Sequence, residues 1–362
     1  MAELIDFLKA VVASGASDLH LVVGKPPLAR INGLMQPMSG AAALGAEECE
    51  RLIYSVLTEA QRARFEERWE LDGSVSLPGA LRFRLNAFRQ KNGAGAVFRA
   101  IPTKIPSPQE IGLMPAIVNL IDLPRGLVLV TGPTGSGKST TLATLIEQIN
   151  QKSRKKILTI EDPIEFVYED KNSVILQREV GTSTQSFAEA LRHAMRQDPD
   201  VILIGEMRDL ETISLALTAA ETGHLCFGTL HTQDAPSTID RIIDVFPASQ
   251  QAQVRLQVSS VLQGVICQQL LPRKGGGRVC AREFLRVTTA VGSLIREGKT
   301  HQIYNAMEAG AKHGMIGMDQ YLAFLIKQGL VEPDEALSLA HDAATVKALA
   351  GMAASAVPAA NS

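Results

Sequence analysis

Apolar positions at the start of the chain fall at helical spacing. Leu4, Ile5, Leu8, Val11 and Val12 share one face of a helix over residues 3–14, which Gly15 ends. The pattern then changes to short apolar runs over 19–23 and 28–32, which flank the turn Gly24-Lys25-Pro26-Pro27; Asn32-Gly33 is a hairpin signal. Charged helices follow over 47–57 and 59–69, then strands over 80–90 and 94–101 joined at Asn92-Gly93. In the first of these strands, alternation puts Phe83 and Leu85 on one face and Arg82 and Arg84 on the other. Residues 1–101 thus predict a small α+β domain, and the proline-dense stretch 102–112 is a hinge.

After the hinge the pattern alternates between apolar runs and helical segments, which predicts a mainly parallel sheet covered on both faces. The runs are GLVLVT (126–131), ILTI (157–160), VILI (201–204) and LCFGTL (225–230). Helices are expected over 139–150, after a capping box at Ser186 and Glu189, from 210 to a stop at Gly223, over 238–246, and over 249–271. The helix after Ser186 carries Arg192 and Arg196 on one face. Gly275-Gly276-Gly277 reads as the turn of a hairpin. From 289 the chain is helical, over 291–297, 301–309, 318–328 and 332–341, and the Ala-rich residues 346–362 are expected to be disordered. The fold class is α/β, with a core at 113–288 and a helical appendage at 289–345.

Composition narrows this further. With 362 residues and 46% hydrophobic content the chain can build two domains with real cores. A formal charge of -2 gives no basic excess for bulk nucleic-acid binding. Cys49, Cys226, Cys267 and Cys280 form no C-x-x-C pair, so neither zinc nor a disulfide framework is expected. The N-terminus has no basic n-region and no apolar run reaches the ~18 residues of a membrane helix, so a soluble intracellular protein is expected.

The candidate chemistry sits just past the apolar runs. Gly132-Pro133-Thr134-Gly135-Ser136-Gly137-Lys138-Ser139, followed by Thr140, fits G-x-x-x-x-G-K-[ST] between a strand and a helix. The glycines let backbone N–H groups converge on a polyphosphate such as that of ATP, Lys138 reaches the β/γ-phosphates, and the Ser139 hydroxyl ligates Mg²⁺. Glu206 ends an apolar run as a Walker B acid does, with Gly205 where an aspartate usually stands, and would hold Mg²⁺ with Ser139. Glu161 and Asp162 would hold Mg²⁺-bound waters, and Glu165 would orient or deprotonate the attacking water. His231 would donate to the γ-phosphate, whereas His224, at the far end of the same run, reads by position as structural. Arg208, two residues after Glu206, is better placed to act catalytically than Arg192 and Arg196. Arg82, Arg84 or Arg99 would neutralise phosphate charge. If the strands are parallel, the turns after all four runs converge on one edge of the sheet.

Together these motifs resemble the secretion-superfamily ATPases, and among them the type IV pilus retraction (twitching motility) ATPases. The resemblance covers residues 1 to about 345. Besides the phosphate loop it is carried by Gly15-Ala16-Ser17-Asp18-Leu19-His20-Leu21, Arg82-Phe83-Arg84-Leu85-Asn86-Ala87-Phe88, the acidic box 159–165, Gln177-Arg178-Glu179-Val180, Gly205-Glu206-Met207-Arg208-Asp209 and the His box 223–232. It implies a homohexameric ring with a PAS-like N-terminal domain and a RecA-like ATPase domain. Nucleotide would lie in the cleft between them, with roles for both His224 and His231. It implies Mg²⁺-ATP as the fuel and an inner-membrane pilus platform protein as partner. Pilin would be engaged indirectly, other pilus ATPases are possible partners, and the place of action is the cytoplasmic face of the inner membrane. The tetracysteine zinc module of assembly relatives is missing. The retraction helix Ala-Ile-Arg-Asn-Leu-Ile-Arg-Glu is matched by residues 290–297, with Gly292 and Ser293 in place of Arg and Asn. That exchange motivates an alternative, an accessory nucleotide-binding ring protein acting beside a principal motor. A RecA-like DNA motor has the same phosphate chemistry but calls for a basic surplus that this chain lacks.

Overall fold

The computed structural model describes residues 3–31, 33–77, 81–101 and 104–352. Asn32 of the expected hairpin turn, Pro102 and Thr103 of the hinge, and 353–362 of the expected tail lie outside the described residues. The chain divides into two compact units. One runs to Lys104 and takes in Pro163–Val167; the other comprises Ile105–Asp162 and the chain from Tyr168 onward.

In the first unit the elements are α1 (Leu4–Ala13), β1 (Asp18–Leu21), β2 (Leu28–Ile31), β3 (Leu34–Pro37), α2 (Ala46–Tyr54), α3 (Glu59–Arg68), β4 (Glu70–Leu77), β5 (Leu81–Gln90) and β6 (Gly93–Ile101). The sheet is antiparallel with strand order β3-β2-β1-β6-β5-β4. Its inner face joins Leu19, Leu21, Phe83, Leu85 and Phe98 to Leu4, Leu8 and Val11 of α1 and Cys49, Leu52 and Ile53 of α2. Thr58 and Gln61 form a capping box at the start of α3, and Trp69 ends it in the left-handed conformation. Strands β3 and β4 add to the sequence expectation. All four residues of β3 are exposed, and Gly73 interrupts the alternation of β4, so neither carries a strong period-two signal.

The second unit contains α4 (Pro115–Val118), β7 (Gly126–Thr131), α5 (Lys138–Lys152), β8 (Lys156–Glu161), β9 (Val174–Glu179), α6 (Phe187–Ala194), β10 (Val201–Ile204), α7 (Leu210–Glu221), β11 (Leu225–Leu230), α8 (Ala235–Asp244), α9 (Ala248–Val261), β12 (Leu262–Pro272) and β13 (Arg278–Arg286). Then come α10 (Thr289–Arg296), α11 (Ile303–Ala309), α12 (Met318–Lys327), α13 (Pro333–Ser338) and α14 (Ala343–Ala350). The sheet runs β13-β12-β7-β11-β10-β8-β9, and every neighbouring pair except β12–β13 is parallel.

The apolar runs are continuous because both faces of the sheet are buried. Val128 and Val130 pack with Leu142, Leu145, Ile146 and Ile149 of α5 on one side. Leu127 and Leu129 pack with Ala216, Leu217, Ile239 and Ile242 on the other. Each such fully buried side chain contributes about 1.5–3 kcal/mol. Val291, Ile295, Ile303 and Met307 of α10 and α11 belong to that second core, while α12 packs with Leu271 and Ala281.

Two expectations are overturned. Residues 346–350, expected within a disordered tail, complete helix α14, and Val346 is buried in one core with Tyr321, Leu322 and Leu325 of α12. The helix anticipated over 249–271 stops at Val261, and residues 262–271 form strand β12. Its run GVICQQLL is short and apolar, a pattern that fits a buried strand as well as a helix; the open edge of β7 and the triglycine hairpin to β13 decide it. The capping box at Ser186 is half formed. Ser186 accepts from the Glu189 N–H, but the Glu189 carboxylate turns to Arg192 and His193.

Candidate active site

The parallel register carries the ends of β7, β8, β10 and β11 to one rim of the second unit. Gly132, Asp162, Gly205 and His231 each follow the last residue of one of these strands.

The phosphate loop is built from close approaches. Gly132 has φ +137°, and a Cβ there would lie 2.3 Å from the carbonyl oxygen of Gln268 on β12. Gln268 is itself buried and donates from Nε2 to the Ser136 carbonyl at 3.3 Å, so β12 braces the loop from behind. Lys138 Nζ donates to the carbonyls of Gly132 (2.7 Å) and Pro133 (3.0 Å). Burial lowers the Lys138 pKa, and the nearby charge of Glu206 works against that shift. Among the described residues, the buried hydroxyls of Thr131, just before the loop, and Ser136, within it, have no hydrogen-bond partner. Orphaned donors of this kind, with the free N–H groups of the first turn of α5, fit an oxyanion of a phosphate.

Glu206 is the hub of the rim. His231 Nε2 donates to its Oε1 at 2.8 Å, and Arg208 Nε donates to the same oxygen. Burial opposes its ionisation, but Arg208 and His231 hold its carboxyl below the ordinary range. Glu206 in turn raises Arg208, with a smaller contribution from Asp162. Glu206, Arg208 and His231 line a cavity of about 490 Å³ with Thr232 and Arg241. Met207 is buried between the two ionised residues, lying across Gly228 of β11, where a Cβ would stand 2.4 Å from its sulfur.

Glu161 is buried at the end of β8, accepting from Thr159 (2.7 Å) and Gln177 (3.2 Å). Gly205 donates to the Ile160 carbonyl at 2.7 Å. A Cβ on Gly205 would lie 3.0 Å from that oxygen and 3.2 Å from the Glu161 Cα, a tight fit for any side chain before Glu206. The Ser139 hydroxyl, on the first turn of α5, is exposed. A serine hydroxyl and carboxylates are hard oxygen donors, a set that fits Mg²⁺ completed by phosphate oxygens and water.

The second unit thus brings together Lys138, Ser139, Glu206, Arg208, His231 and Asp162. It does not bring His224 to them. That residue stands at the other end of β11, its Nδ1 2.8 Å from the Ala219 carbonyl at the close of α7. Glu165 is exposed and belongs to the segment counted with the first unit.

Arg30, Arg82, Arg84 and Arg99 share the outer face of the first unit's sheet. Register sets Ser74 opposite Arg84, Arg84 opposite Arg99, Arg99 opposite Asp18, and Asp18 opposite Arg30. Arg82 donates to Ser74 at 2.7 Å, and Arg99 donates to Asp18 at 2.7 Å. Like charges directly opposite each other are destabilising, so the Arg84–Arg99 pair is a costly arrangement. Asp18 and Gln268 are the members that sequence reasoning missed. The pairing of Arg99 with Asp18 spans most of the first unit and has no local pattern, and Gln268 lay in the segment read as helix.

Comparison with known proteins agrees with this geometry. The family model described as Type II/IV secretion system protein matches residues 2–316. The chain is 51% identical to the type IV pilus retraction ATPase PilT of Pseudomonas aeruginosa, over 92% of this chain and 97% of that one. It is 50% identical to a twitching motility protein of Neisseria gonorrhoeae (86% and 83% covered) and 40% identical to the type IV pilus ATPase PilU of Pseudomonas aeruginosa (94% and 89%). A crystal structure of the pilus retraction motor PilT with bound ADP superposes with a TM-score of 0.90 at 47% identity, covering 94% of this chain and 98% of that one. A nucleotide-binding rim on a parallel sheet, an N-terminal α+β unit and likeness over nearly the whole length lead to one conclusion: the chain belongs to the Type II/IV secretion system protein family, and is an ATP hydrolase of its PilT-like, pilus-retraction kind.

Proposed function

We propose that this protein works as a homohexameric ring that couples hydrolysis of Mg²⁺-ATP to disassembly of type IV pili. It would act at the cytoplasmic face of the inner membrane, through the pilus platform protein and so indirectly on pilin. The observation that carries the reading is the convergence of Lys138, Glu206, Arg208 and His231 on one rim. Lys138 and residues 132–140 grip the polyphosphate. Ser139 and Glu206 would hold Mg²⁺, with Glu161 and Asp162 on its waters; the ion supplies charge neutralisation at the β- and γ-phosphates. Glu165 takes the proton of the attacking water as its oxygen bonds to the γ-phosphorus and the bond to the bridging oxygen breaks, leaving ADP and phosphate. His231 donates to the γ-phosphate and, through its bond to Glu206, reports the loss of that group. His224 keeps a role only through the family's His box. Arg82, Arg84 and Arg99 supply positive charge to a phosphate, in this copy or another.

Steady-state turnover of the purified protein tests the chemistry. Lys138→Ala is expected to abolish hydrolysis with the fold retained, and Glu165→Gln to lower turnover by about 10²-fold or more. Undiminished turnover in either variant would refute the role given to that residue. Deleting the gene should leave cells piliated but unable to twitch, and normal twitching would count against the motor reading. The 51% identity to a relative named as a pilus retraction ATPase favours the principal motor over the accessory ring protein.

A further inference from the structure

A second basic hollow lies at the end of the large sheet opposite the phosphate loop. Val128 of β7 is paired with Gly264 of β12, and Gly264 with Arg286 of β13, whereas the loop departs from Thr131 beside Cys267. Arg286 lines a cavity of about 370 Å³ together with Ala116, Asn119, Lys312, His313 and Gly314. Its walls are fixed. Phe284 and Ile316 exchange two backbone hydrogen bonds, at 2.9 and 3.1 Å, which tie the segment after Lys312 to β13. Gly314 has φ +76°, and a Cβ there would stand 2.3 Å from that of Ala116, so the turn approaches α4 only because it has no side chain.

Three basic side chains share this hollow, and no carboxylate lines it. Among the described residues, the side chains of Arg286, Lys312, His313 and Asn119 have no hydrogen-bond or ion-pair partner. Burial alone lowers the Arg286 pKa, and no acid nearby acts against it. A guanidinium half withdrawn from water without a counter-charge is unfavourable unless something else neutralises it.

We propose that this hollow is a binding site for a phosphate-bearing anion, distinct from the nucleotide site. Arg286 offers a planar fork of donors, Lys312 a point charge, and Asn119 and His313 further donors, a set suited to the oxygens of a phosphoryl group. No Phe, Tyr or Trp side chain lines it, and its cationic and amide donors match the oxygens of a phosphate. The site does not depend on the motor reading.

Isothermal titration of the full-length protein with inorganic pyrophosphate tests it. Binding is expected in the wild type with ADP held saturating, and equally in Lys138→Ala without ADP. Arg286→Gln should weaken it by about tenfold or more, and Lys312→Gln, at an exposed position, should weaken it without risk to the core. Absence of this binding in the wild type, or wild-type binding in both hollow variants, overturns the proposal. Loss in Lys138→Ala with retention in Arg286→Gln assigns the anion to the phosphate loop and also overturns it. A vesicle arm separates sources. Arg286-dependent binding to phosphatidylglycerol vesicles, competed by pyrophosphate, assigns a lipid headgroup, and pyrophosphate binding without vesicle binding assigns a free phosphate.

Discussion

Gly205 illustrates how a single missing side chain sets the chemistry of a strand end. With the Ile160 oxygen 3.0 Å and the Glu161 Cα 3.2 Å from the place of a Cβ, Gly205→Ala must push β8 and β10 apart. A loss of about 1–3 kcal/mol in denaturant unfolding is expected, and Gly205→Asp, which would restore the usual acid, should lose more. Asp18 carries a pH signature. Burial resists its ionisation, but the Ser17 hydroxyl and Arg99 more than offset this and keep its carboxyl below the ordinary 3.8. As pH falls, the unfolded chain takes up this proton first. The contribution is therefore full above about 3.8 and is lost as pH drops through the lower folded value. Arg99→Gln should move the acid-unfolding midpoint to higher pH, as followed by circular dichroism. At this scale the placement of the phosphate loop, Glu206, Arg208 and His231 just past strand ends was legible, because each lies in a local motif. The partners of Arg99 and of the phosphate loop were not, since Asp18 and Gln268 reach them only through strand pairing and β12.

Elements were legible where one period dominated. The helices α1, α5 and α7 and the buried strands of the large sheet came straight from their patterns, and the failure at β12 marks where two patterns overlap. The order of the strands was not legible, because it depends on which apolar edges meet. A case in point is Glu283, buried on β13, which accepts from the backbone N–H of Ala235 (2.8 Å) and of Met318 (3.3 Å). One carboxylate thus holds the starts of both α8, which follows the His231 loop, and α12. Burial raises its pKa above 4.5. The folded state therefore retains this proton longer than the unfolded chain, and stability falls as pH rises from about 4.5 through the folded value. Glu283→Ala leaves two buried donors unpaired and is expected to lose about 2–6 kcal/mol, whereas Glu283→Gln, which keeps an acceptor, should lose less. Chemical unfolding of the two variants at neutral pH checks the order.

For the molecule as a whole, the formal charge of -2 offers no overall basic surplus for binding nucleic acid. Duplex DNA is expected to leave ATP turnover unchanged, and a salt-sensitive stimulation would reopen the DNA-motor reading. Two units could be read from the sequence, since its pattern changes across a proline-rich stretch. Their true membership could not, because Pro163–Val167 returns to the first unit after the large sheet has begun. That excursion has a practical corollary. A fragment ending at Lys104 is deprived of a peptide that belongs to it, and the complementary fragment is left with an orphaned one. The halves are therefore unsuited to separate expression, and a split reporter or domain exchange cut at the prolines would sever a body that the chain completes only at Pro163–Val167.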